Sequence, residues 1–324
     1  IALGIASDAP AGVKFKKAFG GKKFTWRIIR DLTIPFQTKG EVVIVVAPDL
    51  LATTWLIAKL RRQKLVADVH EDYLQLLKDR SWAKGVIGFL AGLIARAASQ
   101  IAKRAALTTV ADVHVPPQNA KNRLVVRNLP DASLITSSGE LSATPTAIYI
   151  GDIRSSRGLK KILETAEIAT NWKFELIGSV AAADKDYLEN WQRTSPAASR
   201  VNFHGKLAPK QSWQCAKGAW VGLSLLDATP AFVDAVPSKL YEYLTSGLAV
   251  VTTDLPRSAK VISESNAGVI ANTPSEIANA LIKFEGNKDL INQLRSNGAN
   301  WAKNNLDSPA EYHRFTAAIS NLLK

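Results

Sequence analysis

Apolar and polar positions along this chain alternate with two periods, one of strands and one of helices. Residues 42–47 are continuously apolar, the pattern of a strand buried on both faces. Residues 50–62 predict a helix, and 65–69 a second strand ending at His70-Glu71-Asp72. A long helix is predicted over 82–105, with strands over 107–110 and 123–127. Residues 132–145, rich in Ser, Thr, Ala and Gly, read as a linker. Residues 10–40 are basic, weakly periodic and match no single element.

The pattern then restarts. Strands are predicted over 147–150, 174–177, 200–203, 220–225 and 248–252. Helices are predicted over 159–170, 182–194, 209–217, 237–246, 274–285, 287–303 and 308–323. The first of these sets Leu159, Ile162, Leu163 and Ala166 on one face. Alternating strands and helices imply parallel sheets wound on both sides. The expected fold class is α/β, with two Rossmann-like domains facing each other across a cleft. The expected division is residues 1–138, residues 139–305, and a terminal helix over 306–324 that packs back on the first domain.

Charge changes this picture more than composition does. The net charge is +13, and residues 1–138 hold 21 Lys/Arg against 10 Asp/Glu, leaving 20 against 18 for the rest. Such asymmetry points to a polyanionic surface, anionic lipid headgroups before nucleic acid; the alternative is a solvated basic face. No aromatic stacking set or recognition motif accompanies the charge, so no nucleic-acid partner is expected. Residues 82–104 set Trp82, Ile87, Phe89, Leu90, Leu93, Ile94 and Ile101 against Lys84, Arg96, Lys103 and Arg104. That stripe suits a membrane interface or an ordinary inward-packing helix. Its uncharged run, residues 85–95, is 11 long, short of the ~20 residues a spanning helix needs.

The single cysteine, Cys215, excludes an internal disulfide and fits a reducing compartment. The four histidines are scattered, and Asp184-Lys185-Asp186 falls within a predicted helix, so no metal is expected. The chain has no methionine and opens on Ile1, so the first domain is expected to be incomplete; no amino-terminal leader is read.

Two stretches carry candidate chemistry. In residues 234–256, Pro237 opens a short helix, Gly247 closes it, and a buried strand follows. The helix start offers free amides, those of Ser238 and Lys239 among them, to an anion. Glu242, eight positions after Asp234, lies about a turn further in, within reach of sugar hydroxyls. In residues 149–158, a buried strand ends at Gly151, and a turn bearing Arg154 and Arg157 leads to a helix at Gly158. Ligands sit beyond the carboxyl ends of strands in open parallel sheets, and arginine offers a planar fork to phosphate oxygens. Together the stretches suit a nucleotide-sugar.

Residues 146–285 resemble the donor domain of retaining family 4 glycosyltransferases with the GT-B fold. Asp234 and Glu242 match the family's pair of acids, followed by Gly247 and the strand Ala249-Val250-Val251. Gly151, Arg157 and Gly158 match its phosphate turn. Leu176-Ile177-Gly178-Ser179 and Val201-Asn202-Phe203-His204-Gly205 match two of its strand ends. In the first half, His70 resembles a strand-end histidine at the family's interdomain cleft, and Asn128-Leu129-Pro130-Asp131 resembles the stretch before its hinge. Four departures stand out: Asp234 replaces Glu, Asp152 stands where an arginine is common, Ala249 replaces the usual proline, and the family's glycine-rich loop is not visible.

The resemblance implies retaining transfer from a nucleoside-diphosphate sugar, with no cofactor or metal. Arg154, Arg157 and the amides at the start of the 237–246 helix would hold the diphosphate, and Glu242 the ribose. Asp234 with backbone near Phe232, Ala235 and Val236 would hold the sugar, and His70 a sugar hydroxyl or the acceptor. Gly151, Gly178, Ser179, His204 and Gly205 complete the expected donor contacts. His204 lines the base or is structural, and His70 has the alternative of a strand-end histidine beside two acids. The acceptor is expected to be a lipid-linked or envelope glycan. The protein is then cytoplasmic and peripheral at the inner face of the membrane, with its basic domain on anionic lipid. The alternatives are a non-catalytic protein that binds nucleotide-sugar or anionic headgroups, and a GT-B sugar-nucleotide epimerase.

Overall fold

The computed structural model describes residues 2–4, 15–17, 29, 31–78 and 83–324. The chain divides into two compact units, Ile1–Asn128 with Pro309–Lys324, and Leu129–Ser308.

In the first unit, β1 (Ala2–Gly4) and β2 (Phe15–Lys17) pair in parallel. A separate parallel sheet runs β3 (Val42–Val45), β4 (Lys64–Val69), β5 (Leu107–Val110) and β6 (Arg123–Val125), in that order. Its helices are α1 (Pro48–Leu60), α2 (Tyr73–Lys78) and α3 (Gly85–Arg104). Helix α1 begins before the predicted position because Pro48 sits in its first turn, where a missing N–H is harmless.

Helix α3 packs by its small side chains. Ala95, Ala98 and Ala102 are buried, the last two within the unit's core cluster. The larger apolar residues point elsewhere: Ile87 is 60% and Phe89 63% exposed, and Val86, Leu90, Leu93 and Ile94 are exposed beside them. At 20 residues, the helix is long and apolar enough to cross a membrane by length and composition. The 11-residue run read from the sequence thus understated its apolar length. Trp82, assigned to the same face, lies outside the described residues.

The second unit is a six-stranded, all-parallel sheet. Its strands are β7 (Thr146–Ile150), β8 (Lys173–Ile177), β9 (Val201–Gly205), β10 (Val221–Ser224), β11 (Ala249–Thr252) and β12 (Gly268–Ile270). They lie in the order β12-β11-β10-β7-β8-β9. The helices are α4 (Leu159–Ile168), α5 (Lys185–Thr194), α6 (Pro209–Gln214), α7 (Ser238–Ser246), α8 (Pro256–Ser265), α9 (Pro274–Glu285) and α10 (Lys288–Asn305). Helix α11 (Ser308–Asn321) belongs to the first unit from Pro309 onward, where the buried Glu311 binds Arg127 at 2.8 Å.

Two apolar clusters fill the faces of this sheet. In one, Trp172 and Trp220 meet edge to face, their centroids 5.7 Å apart. Helix α8 and strand β12 escaped the sequence reading. Two of the buried positions of α8 are Ser258 and Ser265, which dilute its apolar stripe, and β12 has only three residues.

The strand order reverses at β7, which has β8 on one side and β10 on the other. The carboxyl ends of β7 and β10 therefore flank the crevice where open parallel sheets take their ligands. The segments leaving them are the two stretches singled out above.

Candidate active site

The floor of the site is backbone. After β7, the Gly151 amide donates to the Ile177 carbonyl at 2.8 Å, and the Gly178 amide donates to the Gly205 carbonyl at 2.8 Å. Gly178 has φ 149°, and a Cβ there would lie 1.8 Å from the Gly151 carbonyl oxygen. Only glycine lets these strand ends meet. The next residues extend the contact, with the Ile153 amide on the Ser179 carbonyl at 3.0 Å.

The turn that follows is braced from below. Asp184 accepts the Ser155 amide at 3.1 Å and also its hydroxyl, which gives part of the Asp184-Lys185-Asp186 stretch a structural task. The Asp227 amide donates to the Ser156 carbonyl at 3.0 Å, tying the turn to the segment after β10. Arg154 donates to Asp152 at 2.7 Å, and the Arg157 guanidinium lies 5.6 Å from the Phe232 ring centroid. The Nε atoms of both arginines are buried and have no hydrogen-bond partner.

Helix α7 supplies the opposite side. Pro237 is its N-cap, in an extended conformation, rather than its first helical residue as read from the sequence. The amides of Ser238 and Lys239 open the helix and, as in any first turn, have no acceptor within it. Gly247 ends it in the left-handed conformation, φ 73°. The Ser138 hydroxyl lies 3.0 Å from both the Ser246 and Gly247 carbonyls, and Arg295 donates to Gly247 at 2.8 Å.

Three side chains of this helix bear on the site. Tyr243, fully buried, accepts the Ile150 amide at 3.0 Å. Glu242 is half-buried; burial raises its carboxyl above the usual range, against the Ser238 hydrogen bond and the Lys239 charge. Lys239 is 6% exposed, and its Nζ lies 3.7 Å from the Tyr149 ring centroid. Burial, then the neighbouring Arg157, pull its ammonium down to about 7, against Glu242 and Asp152. Tyr149 is buried, donates to the Asp152 carbonyl at 2.7 Å, and is held well above the usual phenol range by that burial.

The structure therefore gathers Gly151, Gly178, Arg154, Arg157, Phe232, Lys239 and Glu242 around the ends of β7 and β10. The Lys239 side chain is what the sequence reading missed, having used only its amide. The signal was present: Lys239, Tyr243 and Ser246 recur at helical spacing and are all buried. Other expected residues stand apart from that gathering. Asp234 is exposed, and its carbonyl accepts Arg257 at 2.9 Å. The Phe232 and Ala235 amides are occupied within the loop, on the Thr229 carbonyl at 2.9 Å and the Phe232 carbonyl at 3.0 Å.

His204 pairs with Glu175 at 2.5 Å. It is the extra residue where the register of β8 and β9 slips, which turns it toward that partner. Thr146, Lys173, Glu175, Cys215 and Lys217 join it around a cavity of about 420 Å³. His70 belongs to the first unit, just beyond the end of β4. Its Nε2 lies 2.9 Å from Asp68, which also accepts the Thr109 hydroxyl at 2.7 Å. The Asp68 hydrogen bond raises His70 above its ordinary range, against burial. Among the described residues, no group of three His, Cys, Asp or Glu side chains is placed to hold a metal ion.

Comparison with known proteins places this geometry. The family described as glycosyl transferases group 1 matches residues 134–301, more than half of the chain, and the chain belongs to that family. Its fold is GT-B, with two Rossmann-like domains, as a set of solved structures shows. Sucrose-phosphate synthase from Thermosynechococcus elongatus superposes with a TM-score of 0.71 at 12% identity, over 92% of this chain and 78% of that one. HepE from Anabaena, solved in complex with UDP, gives 0.69 at 14% identity, over 95% and 86%. WaaG, a glycosyltransferase involved in lipopolysaccharide biosynthesis, gives 0.65 at 14% identity, over 97% and 88%. No curated protein matches the chain by sequence.

Proposed function

We propose that this glycosyltransferase moves a sugar, with retention of configuration, from a nucleoside-diphosphate sugar to a lipid-linked or envelope glycan acceptor. The observation that carries the reading is the meeting of Arg154, Arg157, Lys239 and the first turn of α7 at the reversal of strand order. Positive charge there suits the charge that develops on a leaving diphosphate. Bound UDP and UDP-glucose in structures of HepE support a donor of this class.

In this reading, Arg154 and Arg157 turn their guanidinium groups on the diphosphate, and the Ser238 and Lys239 amides add the dipole of α7. Glu242 accepts hydrogen bonds from the ribose. The exposed Asp234 is assigned to the transferred sugar, and His70 to the sugar or the acceptor. The protein's own cations carry the diphosphate charge, with no metal assigned a role, and the leaving phosphate takes the acceptor proton.

The basic amino-terminal unit and the exposed apolar face of α3 support docking on the anionic inner face of a membrane. That placement brings the enzyme to a lipid-linked acceptor. A thermal-shift panel of UDP-, GDP- and ADP-sugars tests the donor reading. One donor class is expected to stabilise the protein, and Glu242→Ala to lose that response. Silence across the whole panel on folded protein would overturn it. Transfer of the responding sugar, with the product's anomeric configuration read by NMR, tests retention.

A further inference from the structure

Lys239 is chemically out of place for a structural lysine. It is 6% exposed, and its Nζ has no hydrogen-bond partner. A Cβ built on Gly151 would stand 3.1 Å from that Nζ, so the ammonium lies directly against the residue that follows β7. The groups facing it come from three elements. Tyr149 of β7 lies beneath it, while Asp152, Arg154 and Arg157 face it from the turn. Glu242 faces it from its own helix. Two guanidinium groups repel the ammonium, and the Asp152 carboxylate accepts a hydrogen bond from Arg154 at 2.7 Å. Burial against an aromatic face, with no hydrogen-bond partner, disfavours an ammonium unless an anion meets it.

We propose that the Lys239 side chain is a direct ligand of the donor's diphosphate, a third cation beside Arg154 and Arg157. Its Nζ takes up a proton when the diphosphate arrives. The inference rests on the donor reading above and adds to it a residue role and a proton linkage. The proton passes from solvent to the Nζ lone pair; no other bond forms or breaks. In the free site, burial and the arginines hold the group at about 7, and adjacent phosphate charge restores its affinity for the proton. Uptake is then roughly half a proton per site near pH 7, approaching about one near pH 9 and about zero near pH 5. Tyr149 and Tyr243, held above the usual phenol range by burial, stay protonated across that window.

The test is calorimetric titration of the whole protein with UDP-glucose, GDP-mannose and ADP-glucose. These sugar nucleotides carry a diphosphate with no proton of its own to exchange near neutrality. Each titration is run in HEPES and in Tris, so that the difference in heat counts protons. Wild type is expected to take up protons with the donor it binds, more at pH 8 than at pH 6. Lys239→Met is expected to bind that donor about tenfold more weakly or worse, with no uptake. Should the methionine variant fail to fold, Lys239→Gln and the pH dependence of wild-type affinity read the same linkage. Binding by wild type with no buffer dependence would overturn the inference, as would a variant that binds within twofold with unchanged uptake. A wild type that binds none of the three sinks the donor reading itself, and this inference with it.

Discussion

The Tyr243 phenol and the Ile150 amide are joined by a hydrogen bond of 3.0 Å that ties helix α7 to the last residue of β7. The ladder between β7 and β10 is formed at Ala147 and Ile148, so Ile150 lies beyond it. The tyrosine ring reaches that amide over Gly222, where an added Cβ would lie 2.4 Å from the ring. This side chain is one of the links that hold the two halves of the candidate site together, with Lys239 against Tyr149 and the Asp227 amide on the Ser156 carbonyl.

Replacing Tyr243 with Phe keeps the ring and leaves a buried amide without this partner. A loss of about 1–3 kcal/mol in unfolding free energy is expected. Gly222→Ala pushes on the same ring and is expected to cost about as much. Denaturant unfolding of both variants checks this; two unchanged midpoints would show that the link carries no strain or stability.

Much of this site was legible in the sequence because it is built from chain punctuation. Gly151, Gly158 and Gly247 mark strand and helix ends, and apolar runs mark β7 and β11. What stayed hidden depends on partners brought in from elsewhere in the fold. For His204 the sequence left a base contact and a structural role open; its Glu175 partner comes from a slipped register that no sequence pattern displays. The Lys239 side chain hid among the apolar residues of its helix, because periodicity reports burial and not polar company. The exposure of α3 hid for a related reason: an amphipathic stripe reads the same whether it faces a core or water.

Gly178→Ala should damage the fold and the site together. Its Cβ would collide with the Gly151 carbonyl, and φ 149° is a conformation few other residues accept. A loss of more than about 2 kcal/mol is expected, with loss of the donor response. Gly92 of α3 is the control, since nothing lies within 4 Å of an added Cβ. Alanine there is expected to be neutral or to stabilise by up to about 1 kcal/mol. Thermal melts with and without the responding donor separate the two outcomes.

Helix α3 should govern membrane docking if its exposed face meets lipid. Lys84, Arg96 and Arg104 are exposed along the helix, and it carries no acid. Co-sedimentation with vesicles of phosphatidylglycerol and phosphatidylcholine is expected, weakening as salt rises. Ile87→Asn with Phe89→Ser removes two apolar anchors and is expected to lower partitioning by about tenfold or more. Equal binding by wild type and variant would leave the basic charge alone responsible and remove α3 from the contact.

The Lys239 ammonium sets stability against function, and pH exposes the conflict. Its ordinary value of 10.5 falls to about 7 in the folded chain, chiefly through burial. Between those values the unfolded chain binds a proton that the folded chain does not, so stability rises with pH across that window. At pH 7 and below the full penalty is present, and above about 10.5 it is gone. Lys239→Met removes the group, so the variant is expected to be more stable than wild type near pH 7, by on the order of a few kcal/mol. The gain should shrink as pH approaches 10. Melting temperatures of both proteins at pH 7, 8.5 and 10, at one ionic strength, measure it. A wild type as stable as the variant at pH 7 would mean that the ammonium already has a partner in the free protein. A variant that is more stable yet cannot hold the donor would show that this lysine is kept for the ligand and not for the fold.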